Sequence, residues 1–169
     1  MYFYEEIKNI LTAQAYRYAA EMEVVRFMYD YALRATEVIN NDKHISITSN
    51  EVTILGAKKG DSRTITDATE RANIALFVKR WNNNYLKLSF SKLKRYCDYL
   101  FSMYICDRRT NSVSTHILRF AKAQEVYMLT KDVQAVMDVL REKSQHNAEI
   151  YISTTFSKTN GTQFDNLNY

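Results

Sequence analysis

The chain has 169 residues, of which 46% are hydrophobic and 25% charged, with a formal net charge of +4. That length supports one domain with a real core, and the composition is that of a globular chain rather than a disordered one. Two cysteines, three histidines without ligand spacing and no apolar run of about 18 residues argue against a disulfide framework, a metal site and a membrane span. The mild positive charge is compatible with a polyanion partner but does not require one. The N-terminal MYFYEEIKNI lacks the shape of a signal peptide, so a cytoplasmic location is expected. With no proline and only three glycines, no linker or domain boundary is visible.

In chain order, Ile7, Ile10 and Leu11 share one face of a helix expected over 3–13. A second helix is expected over 15–33, with Tyr18, Met22, Val25 and Met28/Tyr29 at helical intervals, and a short third starts near Ala35. The pattern then changes to period two. ISITS (45–49), VTIL (52–55) and RTIT (63–66) read as a small antiparallel meander of three strands. Asp67 is a candidate N-cap for a helix over about 68–80. Ser89 or Ser91 caps the next, over about 91–105, which opens with Lys92, Lys94 and Arg95. A helix over about 113–128 contains HILRFAKA, and Thr130 caps a last strong helix over 131–143, where Val133, Val136, Met137 and Leu140 share a face. Beyond Ile152 the chain is polar and aperiodic, which suggests a flexible arm or a partner-docking segment. The expected fold class is α+β, mainly helical, with one small antiparallel three-stranded sheet.

Two distant segments, the second running from THILRF to EIY, and the turn between them carry a shared chemistry. ALRATEVI (32–39) supplies Arg34 and Glu37; THILRF (115–120) supplies His116 and Arg119; EIY (149–151) supplies Tyr151; and the turn ILGAKKGDSR (54–63) supplies Lys58, Lys59 and Arg63. A protein nucleophile attacking a phosphodiester creates a pentacoordinate phosphorane with added negative charge. Guanidiniums suit it because they donate paired hydrogen bonds and stay charged. A phenol has a pKa of about 10 and needs strong electrostatics or a base to attack.

These segments resemble the boxes of the tyrosine recombinases, the phage integrases and Xer-type enzymes. ALRATEVI is similar to the family's G-L-R-x-S-E-[LV] box, with Arg34 as the first catalytic Arg and Glu37 as its supporting carboxylate. Lys58 lies 24 residues after Arg34, the Xer-type separation of the catalytic hairpin Lys, and Arg63 falls on the family's basic position at the end of that turn. His116 and Arg119 match H-x-L-R. Tyr151 lies 32 residues after Arg119, the ungapped family separation, and Leu140 lies 11 before Tyr151, where the family has the Leu of L-G-H. The resemblance covers about residues 3–153, so a catalytic domain over 1–153 followed by a polar tail over 154–169 is expected, without the N-terminal helical domain that clamps DNA.

The departures follow that Leu. Arg141 and Glu142 stand where the family has Gly and His or Trp. A Glu carboxylate would repel the scissile phosphate, so either Lys143 substitutes, or Glu142 turns away, or the chemistry is impaired. Phe120 replaces the His that often follows the second Arg, and Thr36 replaces Ser.

The resemblance implies a site-specific recombinase of a phage or other mobile element that integrates, excises or inverts DNA without metal or other cofactor. It would act on double-stranded DNA as a homo-oligomer of four protomers on two sites, helped by an accessory DNA-bending protein, in the nucleoid of a bacterial or phage-infected host. Lys59, Arg63 and the basic helix start at Lys92, Lys94 and Arg95 are the candidate DNA contacts. Two rival readings remain: a recombinase-fold DNA-binding regulator whose chemistry is impaired, and a helical interaction protein that binds no DNA. Each residue also has an ordinary structural role open to it. Arg34 and Glu37 fit an i, i+3 surface pair, the lysines fit hairpin solubilisers, His116 and Arg119 fit a solvated helix face, and Tyr151 is one of thirteen tyrosines.

Overall fold

The computed structural model describes residues 1–13, 18–56, 61–107 and 114–168. Helix α1 (Phe3–Ala13) buries Phe3, Ile7 and Leu11, an i, i+4, i+8 stripe. Helix α2 (Ala19–Asp30) buries Met22, Val25 and Tyr29 among others. It stops three residues short of the expected end. Ala32 adopts φ 50, while Leu33 N donates to Met28 O at 2.9 Å and Ala32 N to Tyr29 O at 3.2 Å. These two bonds close a Schellman motif, with alanine where glycine is usual. The short α3 (Ala35–Ile39) is where the sequence puts it, and a further turn, α4 (Asn41–His44), was not expected.

Strands β1 (Ile45–Ile47), β2 (Val52–Ile54) and β3 (Arg63–Ile65) form the expected antiparallel sheet in the order β1-β2-β3. Ile45 pairs with Ile54 and Val52 with Ile65, and all four are buried. Helix α5 (Ala68–Asn82) is capped by Asp67, whose carboxylate accepts from Glu70 N at 2.9 Å. Helix α6 (Phe90–Phe101) is capped by Ser89, not Ser91.

The segment after α6 corrects the sequence reading. Residues 104–106 are strand β4 (Tyr104–Cys106), not the end of a helix. Tyr104 and Cys106 are buried while Ile105 points out, a period of two that the apolar content disguises as a helix face. The partner of β4 is β5 (Phe156–Lys158), in the segment read as a flexible arm. That segment is instead docked on its own chain. Phe156 stacks on Phe3 at 4.2 Å between centroids, Phe164 packs on Phe3 and Tyr104, and Asp165 bonds the N-terminal ammonium at 2.6 Å.

Helix α7 (Ile117–Thr130) is buried from Ile117 through Phe120 and packs against α1, α2, α8 (Val133–Leu140) and α9 (Gln145–Ser153). A helix enclosed on several sides carries apolar residues nearly all round. Its polar members, Arg119, Gln124 and Glu125, therefore need internal partners. The cap of α8 is Asp132, which accepts from Gln134 N at 2.9 Å, rather than Thr130. Helix α9 was not read from the sequence at all. A small second core (Ala32, Ala123, Val136, Leu140, Ala148 and Ile152) binds α7, α8 and α9 to the end of α2, and Tyr151 packs against both this core and the main one. Among the described residues the fold is α+β and mainly helical, and no helix is long and apolar enough to cross a membrane.

Candidate active site

Two helix C-termini meet at this site. The last carbonyls of a helix have no internal partner and carry partial negative charge. Two buried guanidiniums meet the last carbonyls of α8 and those of Tyr31 and Ala32, the two residues just beyond α2. Arg119 donates from Nη1 to Ala32 O at 2.5 Å and from Nη2 to Leu140 O at 3.2 Å. Its Nε is turned to the Tyr151 hydroxyl at 3.4 Å, and its Cζ lies 5.3 Å from the centre of the Tyr151 ring. Arg119 has no solvent exposure, so the sequence option of a solvated helix face is wrong for it. Helix α9 presents Tyr151, half-buried, with its ring against Phe120 at 4.6 Å between centroids.

Arg141, read from the sequence as the loss of a glycine, is the second buried guanidinium. It donates from Nη1 to Tyr31 O at 2.9 Å and Val139 O at 3.1 Å, and from Nη2 to Ala32 O at 3.1 Å and Glu37 Oε1 at 2.6 Å. Burial pushes its pKa down to about 10; Glu37 opposes that shift while Arg119 and Arg34 add to it, and the group stays cationic at neutral pH. The signal that would have found it is a long cationic side chain on the residue just beyond a helix end, where it can fold back on the last carbonyls.

Glu37 is fully buried at the third position of α3. Its Oε1 accepts from Arg34 N at 2.7 Å, the reach-back of a capping box. Its Oε2 lies 3.5 Å from Arg34 Nη1. The Arg34 side chain is 13% exposed, so the i, i+3 pair is real but enclosed rather than a surface pair. A continuous chain of contacts thus runs from Tyr151 through Arg119, the Ala32 carbonyl, Arg141 and Glu37 to Arg34. His116 stands at the N-cap position of α7, one turn before Arg119, and its main-chain carbonyl accepts from Arg119 N at 3.0 Å.

The remaining candidates are placed apart from this chain or outside it. Glu142 accepts from Ser144 N at 3.3 Å and Asn147 Nδ2 at 3.4 Å, so its carboxylate serves the first turn of α9, a favourable end for negative charge. Of the three options for that position, this is the one in which the carboxylate turns to another partner. Lys143 is exposed, and its ammonium lies 3.8 Å from Asp61 beside the sheet. Lys58 and Lys59 lie outside the described residues. Arg63, partly exposed on β3, lines a groove with Asp61, Thr64, Asp138 and Arg141 between the sheet and α8. Lys92 and Arg95 are exposed on α6, and Lys94 pairs with Asp98 at 3.0 Å. Helix α6 packs on α3, the helix that carries Glu37.

Chemically the arrangement offers two guanidiniums, Arg34 and Arg141, on one carboxylate, and a third, Arg119, joined to Arg141 through the Ala32 carbonyl and set beside a phenol at the edge of the core. That suits a bound oxyanion more than a metal, and no cluster of metal-ligating side chains occurs among the described residues. No protein-family model and no curated protein sequence matches this chain.

Proposed function

We propose that this chain has the tyrosine-recombinase catalytic fold and is a DNA strand transferase that works through a 3′-phosphotyrosine intermediate. The observation that carries the reading is that Arg34, Arg119 and Tyr151, three residues of separate sequence boxes, are joined by one chain of contacts through the Ala32 carbonyl, Arg141 and Glu37, with the Tyr151 hydroxyl 3.4 Å from Arg119 Nε. In this mechanism the Tyr151 phenol gives its proton to His116 as base, its oxygen bonds to phosphorus, the bond from phosphorus to the 5′-oxygen breaks, and Lys58 protonates the departing oxygen. Arg34 and Arg119, with His116, hold the non-bridging oxygens as charge grows on them. A 5′-hydroxyl of the partner strand then reverses the step, so the energy of the phosphodiester is retained and no cofactor is consumed. Tyr151 lies against the Arg119 guanidinium, so it must shift to admit the phosphate. Four protomers would assemble on two duplex sites, with an accessory DNA-bending protein, and the Lys92, Lys94 and Arg95 end of α6 would face the major groove. DNA binding would weaken steeply with salt.

Covalent trapping tests the reading. Nicked suicide duplexes cut from the DNA flanking the gene are incubated with wild type and Tyr151→Phe and run on a denaturing gel. A slow-migrating adduct with the wild type alone is expected; an adduct that survives in the variant assigns the nucleophile elsewhere.

A second reading, a DNA-binding regulator with impaired chemistry, is favoured by one observation. The Arg119 guanidinium is fully enclosed and donates to two main-chain carbonyls, an ordinary helix-capping role. A salt-sensitive shift on a native gel without any adduct would select it.

A further inference from the structure

We propose that Arg141 is a positioning residue of this site: it holds the Ala32 carbonyl and the Glu37 carboxylate, the two acceptors on which Arg119 and Arg34 rest, and so sets where both guanidiniums meet a phosphate group. The inference deepens the reading above and rests on its premise that Arg34 and Arg119 receive a phosphate.

Three observations carry it. First, Arg141 sits at φ 56 and ψ 45 on the residue that closes α8. Glu142 N donates to Met137 O at 2.9 Å and Arg141 N to Asp138 O at 3.3 Å, a Schellman motif whose left-handed position suits glycine best. A fully enclosed arginine there carries backbone strain and desolvation that ending a helix does not require. Second, it shares each acceptor with one of the other two arginines. Ala32 O receives Arg119 Nη1 and Arg141 Nη2, and Glu37 Oε1 receives Arg34 N and Arg141 Nη2. Third, Arg141 makes the shorter contact with the carboxylate, 2.6 Å, while the Arg34 guanidinium stands off at 3.5 Å. With Glu37 neutralised from behind, Arg34 keeps its charge and its reach for an incoming anion. Without Arg141, the carboxylate would draw Arg34 inward as a tight pair. The buried Nε of Arg141 has no hydrogen-bond partner, so this guanidinium retains a donor in the interior.

The test uses the full chain, inorganic phosphate as the probe, and arginine side-chain NMR assigned through Arg34→Lys. In the wild type, phosphate is expected to shift the Nε–H signals of Arg34 and of Arg141, which share Glu37. Arg141→Lys keeps a positive charge but lacks the fork that spans Tyr31, Ala32 and Glu37. It is expected to fold and to bind phosphate about tenfold or more weakly. Arg141→Gly together with Glu37→Gln removes both halves of the buried pair, leaves Arg34 without its carboxylate partner, and is expected to show the same loss. Wild-type affinity in either variant, an Arg141 signal that phosphate does not move, or a wild type that does not bind phosphate overturns the assignment. Phosphate binding that depends on Arg141 without any Tyr151 adduct removes the strand-transfer reading and leaves the assignment standing. Adducts formed equally fast by wild type and Arg141→Lys do the reverse.

Discussion

Glu125 illustrates how a buried charge is tolerated in this protein. Its side chain is 7% exposed on α7 and contacts Lys8 Nζ at 2.5 Å and Lys122 Nζ at 3.0 Å. Burial alone would raise its carboxyl pKa, but the two ammonium groups outweigh burial and hold it below the ordinary 4.5. A carboxyl with a depressed folded pKa contributes stability that is fully present above its unfolded pKa and is lost as pH falls through the folded value. Glu125→Gln is therefore expected to destabilise by roughly 1–3 kcal/mol at pH 7. The gap should close as pH drops below about 4.5. Thermal midpoints of both proteins measured from pH 7 to pH 3 check this, and a gap independent of pH would refute the ion-pair account. Cys97, by contrast, is pushed up to about 12 by burial and is a packing residue without a reactive thiolate.

Helix ends carry much of the information at the scale of the element. Among the described residues, four other than glycine have positive φ, Ala32, Asn84, Lys131 and Arg141, and they close α2, α5, α7 and α8. Each such position costs a residue with a β-carbon about 1–2 kcal/mol, which the bonds of the closing motif offset. The start of α8 is a sharper case. Asp132 caps it by accepting from Gln134 N at 2.9 Å, and Thr130 Oγ1 donates to Val126 O at 2.8 Å and accepts from Asp132 N at 3.2 Å. Asp132→Ala is expected to cost about 1 kcal/mol and Thr130→Ala less, by urea denaturation. The reverse order would make Thr130 the functional cap.

For the whole molecule, the two chain ends are part of one packed unit. β5 pairs with β4, Phe156 is buried on Phe3, and the first residue is tied to Asp165. Lys158 and Glu6 add an enclosed ion pair between the tail and α1, and Tyr104 donates to the same Glu6 carboxylate at 2.9 Å. Removing residues 156–169 deletes at least one fully buried aromatic side chain, worth about 3–5 kcal/mol. A fall in thermal midpoint of about 10 °C or more is expected. An unchanged midpoint would mean that the segment does not contribute to the fold of its own protomer in solution.

Local signals in the sequence by themselves determined the main elements: the amphipathic stripes of α1, α5, α6 and α8, the alternating strands of the meander, and the cap at Asp67, while the choice between Ser89 and Ser91 for α6 was left to the structure. The resemblance to a family's sequence boxes, not periodicity, grouped Arg34, Glu37, Lys58, His116, Arg119 and Tyr151; of these, contacts link Arg34, Glu37, Arg119 and Tyr151, and Lys58 lies outside the described residues. What the local signals missed has a common cause. With three glycines and no proline in 169 residues, the usual punctuation is nearly absent, so helices were read past their ends at Ala32 and Arg141. β4 and β5 are three residues each and about fifty apart in the chain, and neither shows a period without its partner. α9 is short, with few apolar residues in its first turn. Only the tertiary structure decided the role of Arg141. A guanidinium becomes the partner of a carboxylate 104 residues away only when two helix ends deliver both to the same buried place, and no local pattern encodes that meeting.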